Sequence, residues 1–283
     1  AADSNTATYA ITTNDNSLFE ISGSTLRFAA SGGANYESPG CGGSSNSNTC
    51  SVIVRASDAA SSANTADRTF TITIGDVNEN PVWATAASQS VNEGTQNVVS
   101  TLSATDVDGD TVTYAITSND NSLFEISGST LRFAASGGAD YESPGCGSSS
   151  NTCTVIVRAT DDGSGSLTAD RTFTITINDL NDESPVWQTA ASQSVDENTR
   201  NVATLSVTDG DAADSNTATY AITTNDNDLF EISGSTLRFA ASGGANYESP
   251  GCGSGADSNT CTVIVRASDG ASSANTADRT FTI

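Results

Sequence analysis

Short stretches of alternating apolar and polar residues recur along this chain. TVTYAIT, residues 111 to 117, sets Val112, Tyr114 and Ile116 against threonine and alanine, and RTFTITI, 171 to 177, sets Phe173, Ile175 and Ile177 against threonines. A period of two puts every second side chain on one face, the pattern of a strand with one buried side. LFEIS, TLRFAA and TVIVRAT read as further strands, and the stretches between them, SNDNS, SGGAD and DDGSGS, are rich in turn-forming residues. No segment carries helical spacing. About seven strands in about 105 residues predict an all-β fold, an antiparallel sandwich of immunoglobulin-like size.

The pattern is repeated. TYAIT occurs at Tyr9, Tyr114 and Tyr220, giving periods of 105 and 106 residues, and residues 1 to 72 align without a gap to 212 to 283 with only 7 of 72 positions different. The expected organisation is three tandem immunoglobulin-like Greek-key β-sandwiches, at 1–80, 81–184 and 185–283, each long enough to bury its own core. The first is expected to lack its opening strands and the last its onward linker, so that the chain reads as part of a longer protein or polymer. Trp83 and Trp187 are expected to pack at the start of their units, and the NDN triplets at 14–16, 119–121 and 225–227 to form turns.

Six cysteines follow the same period as the pairs Cys41 and Cys50, Cys146 and Cys153, and Cys252 and Cys261, each flanking one polar loop. Two thiolates per copy, without histidine, are too few for a zinc site, so local disulfides are expected, and with them an oxidising, extracellular or cell-surface setting.

Charge narrows the chemistry. Thirty-four acidic residues against ten basic ones give a net charge of -24, and histidine and methionine are absent. Nucleic acid and anionic membrane are poor partners for such a surface, cations are good ones, and imidazole-based catalysis or metal binding is excluded. No run of 18 apolar residues predicts membrane insertion of this segment. Paired carboxylates could serve a glycosidase, but triplicated pairs without a substrate cleft do not suggest an enzyme.

Much of the acid lies where one unit passes into the next, in GDVNENPVW (75 to 83) and NDLNDESPVW (178 to 187). Hard cations such as calcium take six to eight oxygens from carboxylates, amides and backbone carbonyls, and such alternation delivers several from one extended segment. Acidic, solvated linkers without metal are the plain alternative. DVDGD at 106 to 110 is not the start of an EF-hand, because Thr111 stands where that loop needs glycine and Thr117 where it needs a bidentate glutamate.

Taken together, SVNEGT, ADYES, DLNDESP, DVDGD and RATDDG resemble, in kind and order, the calcium-binding motifs of the cadherin repeat, and the resemblance covers the whole chain. It implies Ca2+ between consecutive units. For the first linker the implied ligands are Asn35, Glu37, Asp76, Asn78 and Glu79, then Asp106, Asp108, Asp110 and Asp161. For the second they are Glu93, Asp140, Glu142, Asp179, Asn181 and Asp182, then Asp209, Asp211, Asn216 and Asp269. Glu197 and Glu248 would serve a linker beyond residue 283. Tyr36, Tyr141 and Tyr247 are expected to be buried beside the ligand glutamates. Asn35 stands where the family has aspartate, DVNENP is one residue short, and Glu183 replaces an expected asparagine. The cysteine loop and the SGGA insertion lie outside the common pattern.

The implied function is an extracellular, calcium-rigidified structural or adhesive rod or fibre segment, with calcium and either other copies of itself or a cell-surface ligand as partners. A carbohydrate- or protein-binding surface module is the alternative, although the one variable loop is poor in aromatics.

Overall fold

In the computed structural model the described residues are 6–42, 47–58, 63–147, 150–211, 218–252, 259–271 and 273–283. They fall into two compact units, one of Ala1–Thr85, Leu102–Ala115 and Val157–Arg171, the other of Ala86–Thr101, Ile116–Ile156 and Thr172–Ile283.

The second unit contains a complete two-sheet sandwich in its C-terminal part. One sheet orders Asn201–Thr204, Thr236–Phe239 and Phe230–Ser233; the other orders Thr219–Asn225, Thr262–Ser268 and Thr276–Thr282. The chain crosses from one sheet to the other and back, the immunoglobulin-like Greek-key arrangement that the alternating strands predict. Along Thr276–Thr282, Phe281 is fully buried while Thr276, Asp278, Thr280 and Thr282 face water, so period 2 in the sequence becomes one apolar face. Phe281 joins Trp187, Leu205, Phe230, Leu237, Phe239, Val263, Val265 and Ala267 in one core. Full burial of such a side chain is worth about 1.5–3 kcal/mol. On the outer face Arg266 stands opposite Asp278 and forms a two-pronged ion pair with it at 2.7 and 2.8 Å.

The same unit holds the three-stranded sheet Phe124–Ser127, Thr130–Phe133 and Asn97–Val99, and a parallel pairing of Ser88–Asn92 with Thr174–Asn178. The first unit carries the sheet Thr8–Asn14, Thr49–Ser57 and Thr65–Thr73, and the hairpin of Phe19–Ser22 with Thr25–Phe28. Its apolar cluster is Phe19, Cys41, Cys50, Val52, Val54 and Ile74.

The NDN triplets do form turns, each a single 3-10 turn in which two residues are left-handed: Asn16 and Ser17, Asn121 and Ser122, Asn227 and Asp228. The asparagine before each turn holds it closed. Asn119 accepts from Phe124 N and donates to Phe124 O, and Asn14 and Asn225 do the same to Phe19 and Phe230. Beside these turns lie three disulfides, Cys41 to Cys50, Cys146 to Cys153 and Cys252 to Cys261, all buried. Both tryptophans pack as expected: Trp83 donates to Ala169 O and Trp187 to Ala277 O.

Candidate metal centre

Strand pairing assembles each acidic cluster. In the first unit Val82 pairs with Thr105 and Trp83 with Ala104, so the residues preceding Val82 run beside those following Thr105. That places Asp76, Asn78 and Glu79 against Asp106, Asp108 and Asp110. Carboxylate oxygens of Glu37, Asp76 and Asp108 lie within 4.8 Å of one another, as do those of Asp106, Asp108 and Asp110. Glu79 N donates to Asp108 Oδ2 at 2.8 Å. Asp161, 3% exposed, closes the site from the end of Thr152–Thr160. Its Oδ1 accepts from Gly163 N and Leu167 N and from Asn78 Nδ2 at 3.2 Å. A side chain at Gly163 would run into Asp110 and Asn78, so only glycine lets these groups converge.

The second unit builds a matching site. Val186 pairs with Thr208 and Trp187 with Val207, bringing Asp209 and Asp211 beside the segment from Asp179 to Glu183. The parallel partnership of Asn178 with Asn92 puts Glu93 next to Asp179. Glu93 is 5% exposed and acts as a bracket: one carboxylate oxygen accepts Leu180 N at 2.6 Å, the other Tyr141 N at 2.7 Å. Oxygens of Glu93, Asp140 and Glu142 lie within 4.8 Å of one another, as do those of Glu142, Asp182 and Asp211. Glu93, Asp140, Glu142, Asp182 and Glu183 line a cleft of about 290 Å³. Asp269, 3% exposed, accepts from Asn275 N and Asn181 Nδ2, the counterpart of Asp161 with Asn78.

The electrostatics of both sites are unfavourable without a counter-charge. Loss of water raises the pKa of Glu79, with the charges of Asp108 and Glu37 adding to it. Asp110 is raised for the same first reason, then by Asp106 and Asp162. Glu142 is pushed from 4.5 up to about 7, by partial burial and then by Glu93, Asp140 and Asp179, and Asp211 is raised by burial, then by Asp209 and Asp179. Among the described residues no side-chain cation is supplied. The chain has no lysine, and all ten arginines are engaged elsewhere: with Glu20, Asp67, Glu125, Asp170, Glu231 and Asp278, on the carbonyls of Thr85 and Thr189, or over the Phe70 ring.

Buried oxygens test whether these residues suit a metal. Glu37 Oε1, Asn78 Oδ1, Asp106 Oδ2, Asp108 Oδ1 and Asp161 Oδ2 in the first site are buried and have no hydrogen-bond partner among the described residues, and the same holds for Asn181 Oδ1, Asp209 Oδ2 and Asp211 Oδ1 in the second. Each such atom costs about 1–3 kcal/mol unless something binds it. An all-oxygen, multiply charged donor set with unsatisfied lone pairs fits a hard divalent cation.

The remaining residues named from the sequence are placed differently. Asn35 is exposed and its Oδ1 accepts from Ser38 N at 2.6 Å, as Asp140 Oδ1 accepts from Ser143 N at 3.0 Å. Glu197 and Glu248 are exposed and join no acidic cluster among the described residues, and Asn216 lies outside the described residues. The tyrosine expectation needs correcting: Tyr36 and Tyr247 are 37% and 67% exposed, and only Tyr141 is partly buried, where Glu93 holds its backbone. Two acids that the sequence reading did not count among the ligands lie here too, Glu183, noted only as a departure from the pattern, and Asp162. Glu183 donates its N–H to Asp211 Oδ2 and packs with Glu142 against Gly210; Asp162 accepts from Thr111 N beside Asp110. Asp162 adjoins Asp161, the only signal that could have exposed it, and Glu183 stands where the pattern expects an asparagine ligand.

No family model matches the chain, and no curated protein does. Solved structures do. A protocadherin gammaB7 EC3-6 cis-dimer structure matches with TM-score 0.64 at 19% identity, over 98% of this chain and 68% of that one. Mouse cadherin-23 EC22-24 matches at 0.61 and 18%, over 98% and 84%. The protocadherin GammaB4 extracellular domain matches at 0.60 and 20%, and this chain spans 45% of its length. The fold is that of tandem cadherin extracellular repeats.

Proposed function

We propose that the chain is a calcium-binding segment of an extracellular structural or adhesive protein built from tandem cadherin-like repeats. One observation carries this reading: buried carboxylate and amide oxygens lacking partners among the described residues concentrate in two acidic clusters that no arginine neutralises. Glu37, Asp76, Asn78, Asp106, Asp108, Asp110 and Asp161 would hold calcium at the first linker. Glu142, Asp179, Asn181, Asp182, Asp209, Asp211 and Asp269 would hold it at the second, with Glu93 orienting Leu180 and Tyr141. When bound, the ion supplies positive charge that turns mutual repulsion into shared coordination. Each linker then has one favoured geometry, and a run of such linkers makes a stiff rod or fibre. The three buried disulfides suit an oxidising environment.

The test is scattering and calorimetry on the purified chain, with calcium and then with chelator. Saturable calcium binding with a rise in maximum dimension is expected. Absence of binding at millimolar calcium, or an unchanged scattering profile, refutes the reading.

A further inference from the structure

The segment that carries Glu142 is held at a few discrete points. Among the described residues from 134 to 151 there is no strand, Thr130–Phe133 preceding them and Thr152–Thr160 following. An open cavity of about 330 Å³, with Leu123, Phe133, Ala139, Pro144 and Gly145 in its walls, lies along the segment, so close packing does not fix it. Two anchors do. On one side of Glu142, Ala139 O accepts from Gly94 N at 2.9 Å and Tyr141 N donates to Glu93 Oε2 at 2.7 Å. On the other, Gly145 O accepts from Asn121 Nδ2 at 2.6 Å and Cys146 is bonded to Cys153.

The disulfide anchor is itself tied down. Asp120 Oδ2 accepts from Thr154 N, the residue after Cys153, at 3.4 Å, and a side chain at Gly147, the residue after Cys146, would strike Asp120 Oδ1. One carboxylate thus abuts the chain beyond both cysteines. Asp15 has the same place in the first copy, accepting from Gly42 N at 3.0 Å and Ser51 N at 3.3 Å. Glu37, Glu142 and Glu248 each stand four residues before the first cysteine of their pair. Asn16, Asn121 and Asn227 each donate to the glycine carbonyl in between. The loop inside the bridge varies, with separations of 9, 7 and 9 residues, whereas the spacing from glutamate to cysteine does not. A bridge needed only to staple the fold could sit wherever two backbones come within reach. A bridge at a fixed distance from a carboxylate also sets where that carboxylate lies.

We infer that Cys146 and Cys153 are positioning residues for the acidic cleft: their bond holds Glu142 beside Asp182 and Asp211, so the cleft reaches full calcium affinity only in the oxidised chain. This rests on the calcium reading above and adds a redox condition to it. With the bond cut, only hydrogen bonds at Tyr141 and Gly145 hold the stretch around Glu142, and its carboxylate can leave the cluster. Losing a group that orients a metal ligand lowers affinity by about 10–100-fold. Linkage makes the effect reciprocal, so calcium in the cleft protects the bond from reduction by the same factor.

The full chain is equilibrated with a small dithiol reagent and its cyclic disulfide, with and without saturating calcium, and each cysteine pair is followed by thiol labelling and mass spectrometry. One S–S bond breaks in the protein and one forms in the reagent, two electrons and two protons passing to the cysteines. With calcium, the ratio of reduced to oxidised reagent that half-reduces Cys146–Cys153 should rise at least tenfold, and Glu142→Gln should remove the rise. The ratio for Cys252–Cys261, whose neighbouring Glu248 joins no acidic cluster among the described residues, should not change. In parallel, Cys146→Ser with Cys153→Ser should raise at least tenfold the calcium needed to protect 178–185 from proteolysis and leave that for 75–81 unchanged. The redox measurement is made on the unaltered chain, so it decides even where the double substitution impairs folding. The inference is overturned if calcium shifts both bridges equally, if it shifts neither while still protecting 178–185, or if a folded double variant keeps the wild-type midpoint. A chain that calcium protects nowhere fails at the calcium reading itself, and the inference falls with it.

Discussion

Replacing Asp211 by asparagine should act in opposite directions with and without calcium. Asp211 is 1% exposed, and its oxygens lie within 4.8 Å of those of Glu142 and Asp182. At that separation and an effective dielectric near 20, two unit charges repel by about 3.5 kcal/mol. Burial and the charges of Asp209 and Asp179 raise the Asp211 pKa, so the folded protein disfavours its charged form. A net gain of about 1–2 kcal/mol is therefore expected for Asp211→Asn in chelator, because asparagine keeps an acceptor for Glu183 N and offers its N–H2 to Glu142 and Asp182. In a unit of this size that raises the melting temperature by roughly 2–8 °C. With calcium the sign reverses: a carboxylate ligand is lost, affinity falls, and the stabilisation by calcium shrinks. The assay is thermal melting across a calcium titration, wild type beside variant. A variant less stable than wild type in chelator, or one with an undiminished calcium increment, would refute the argument that Asp211 is an uncompensated buried ligand.

Three further outcomes follow from the same geometry. Glu142 is raised in the folded protein from 4.5 to about 7, so its contribution is full below pH about 4.5 and is lost as pH rises towards 7. In chelator the melting temperature should therefore fall over that window, and saturating calcium should reverse the trend; a rise with pH in chelator contradicts it. Asn35→Asp keeps the turn to Ser38 N and adds the charge that Asp140 supplies in the second site, so it should bring calcium protection of the 75–81 segment against proteolysis closer to that of 178–185. An unchanged order of cutting would show that ligand charge does not rank these sites. Phe281→Ala should cost about 3–5 kcal/mol, whereas Phe70→Ala, at a 39% exposed position, should cost well under half of that; equal losses by denaturant unfolding would contradict the difference in cover.

Period-2 alternation was enough to specify the strands, because a side chain's face along a strand depends only on parity. Phe281 and Phe173 point inward for the same reason that Thr280 and Thr174 do not lie in the core. The cysteine pairing was equally legible, since seven to nine residues of separation and a repeated period leave one local partner. Acid clusters were visible as composition at fixed places. Their convergence was not, because it depends on which strands pair: only the registers of Val82 with Thr105 and Val186 with Thr208 bring the DVDGD and DGD stretches beside the acidic segments at 75–83 and 178–187.

The tertiary structure alone decided which oxygens are left without partners. In sequence Glu93 and Asp211 are both carboxylates in acid-rich stretches; in the fold both oxygens of Glu93 accept backbone N–H groups, while Asp211 Oδ1 is buried with no partner among the described residues. It also decided that Glu183 and Asp162 lie beside the clusters, and that Tyr36 and Tyr247 stay exposed. The most direct case is the TADRTFT stretch at 65 to 71 and at 276 to 282: one sequence with one alternation, open in one unit and sealed in the other. Local pattern sets which face of a strand is apolar, but burial is a property of what packs against that face.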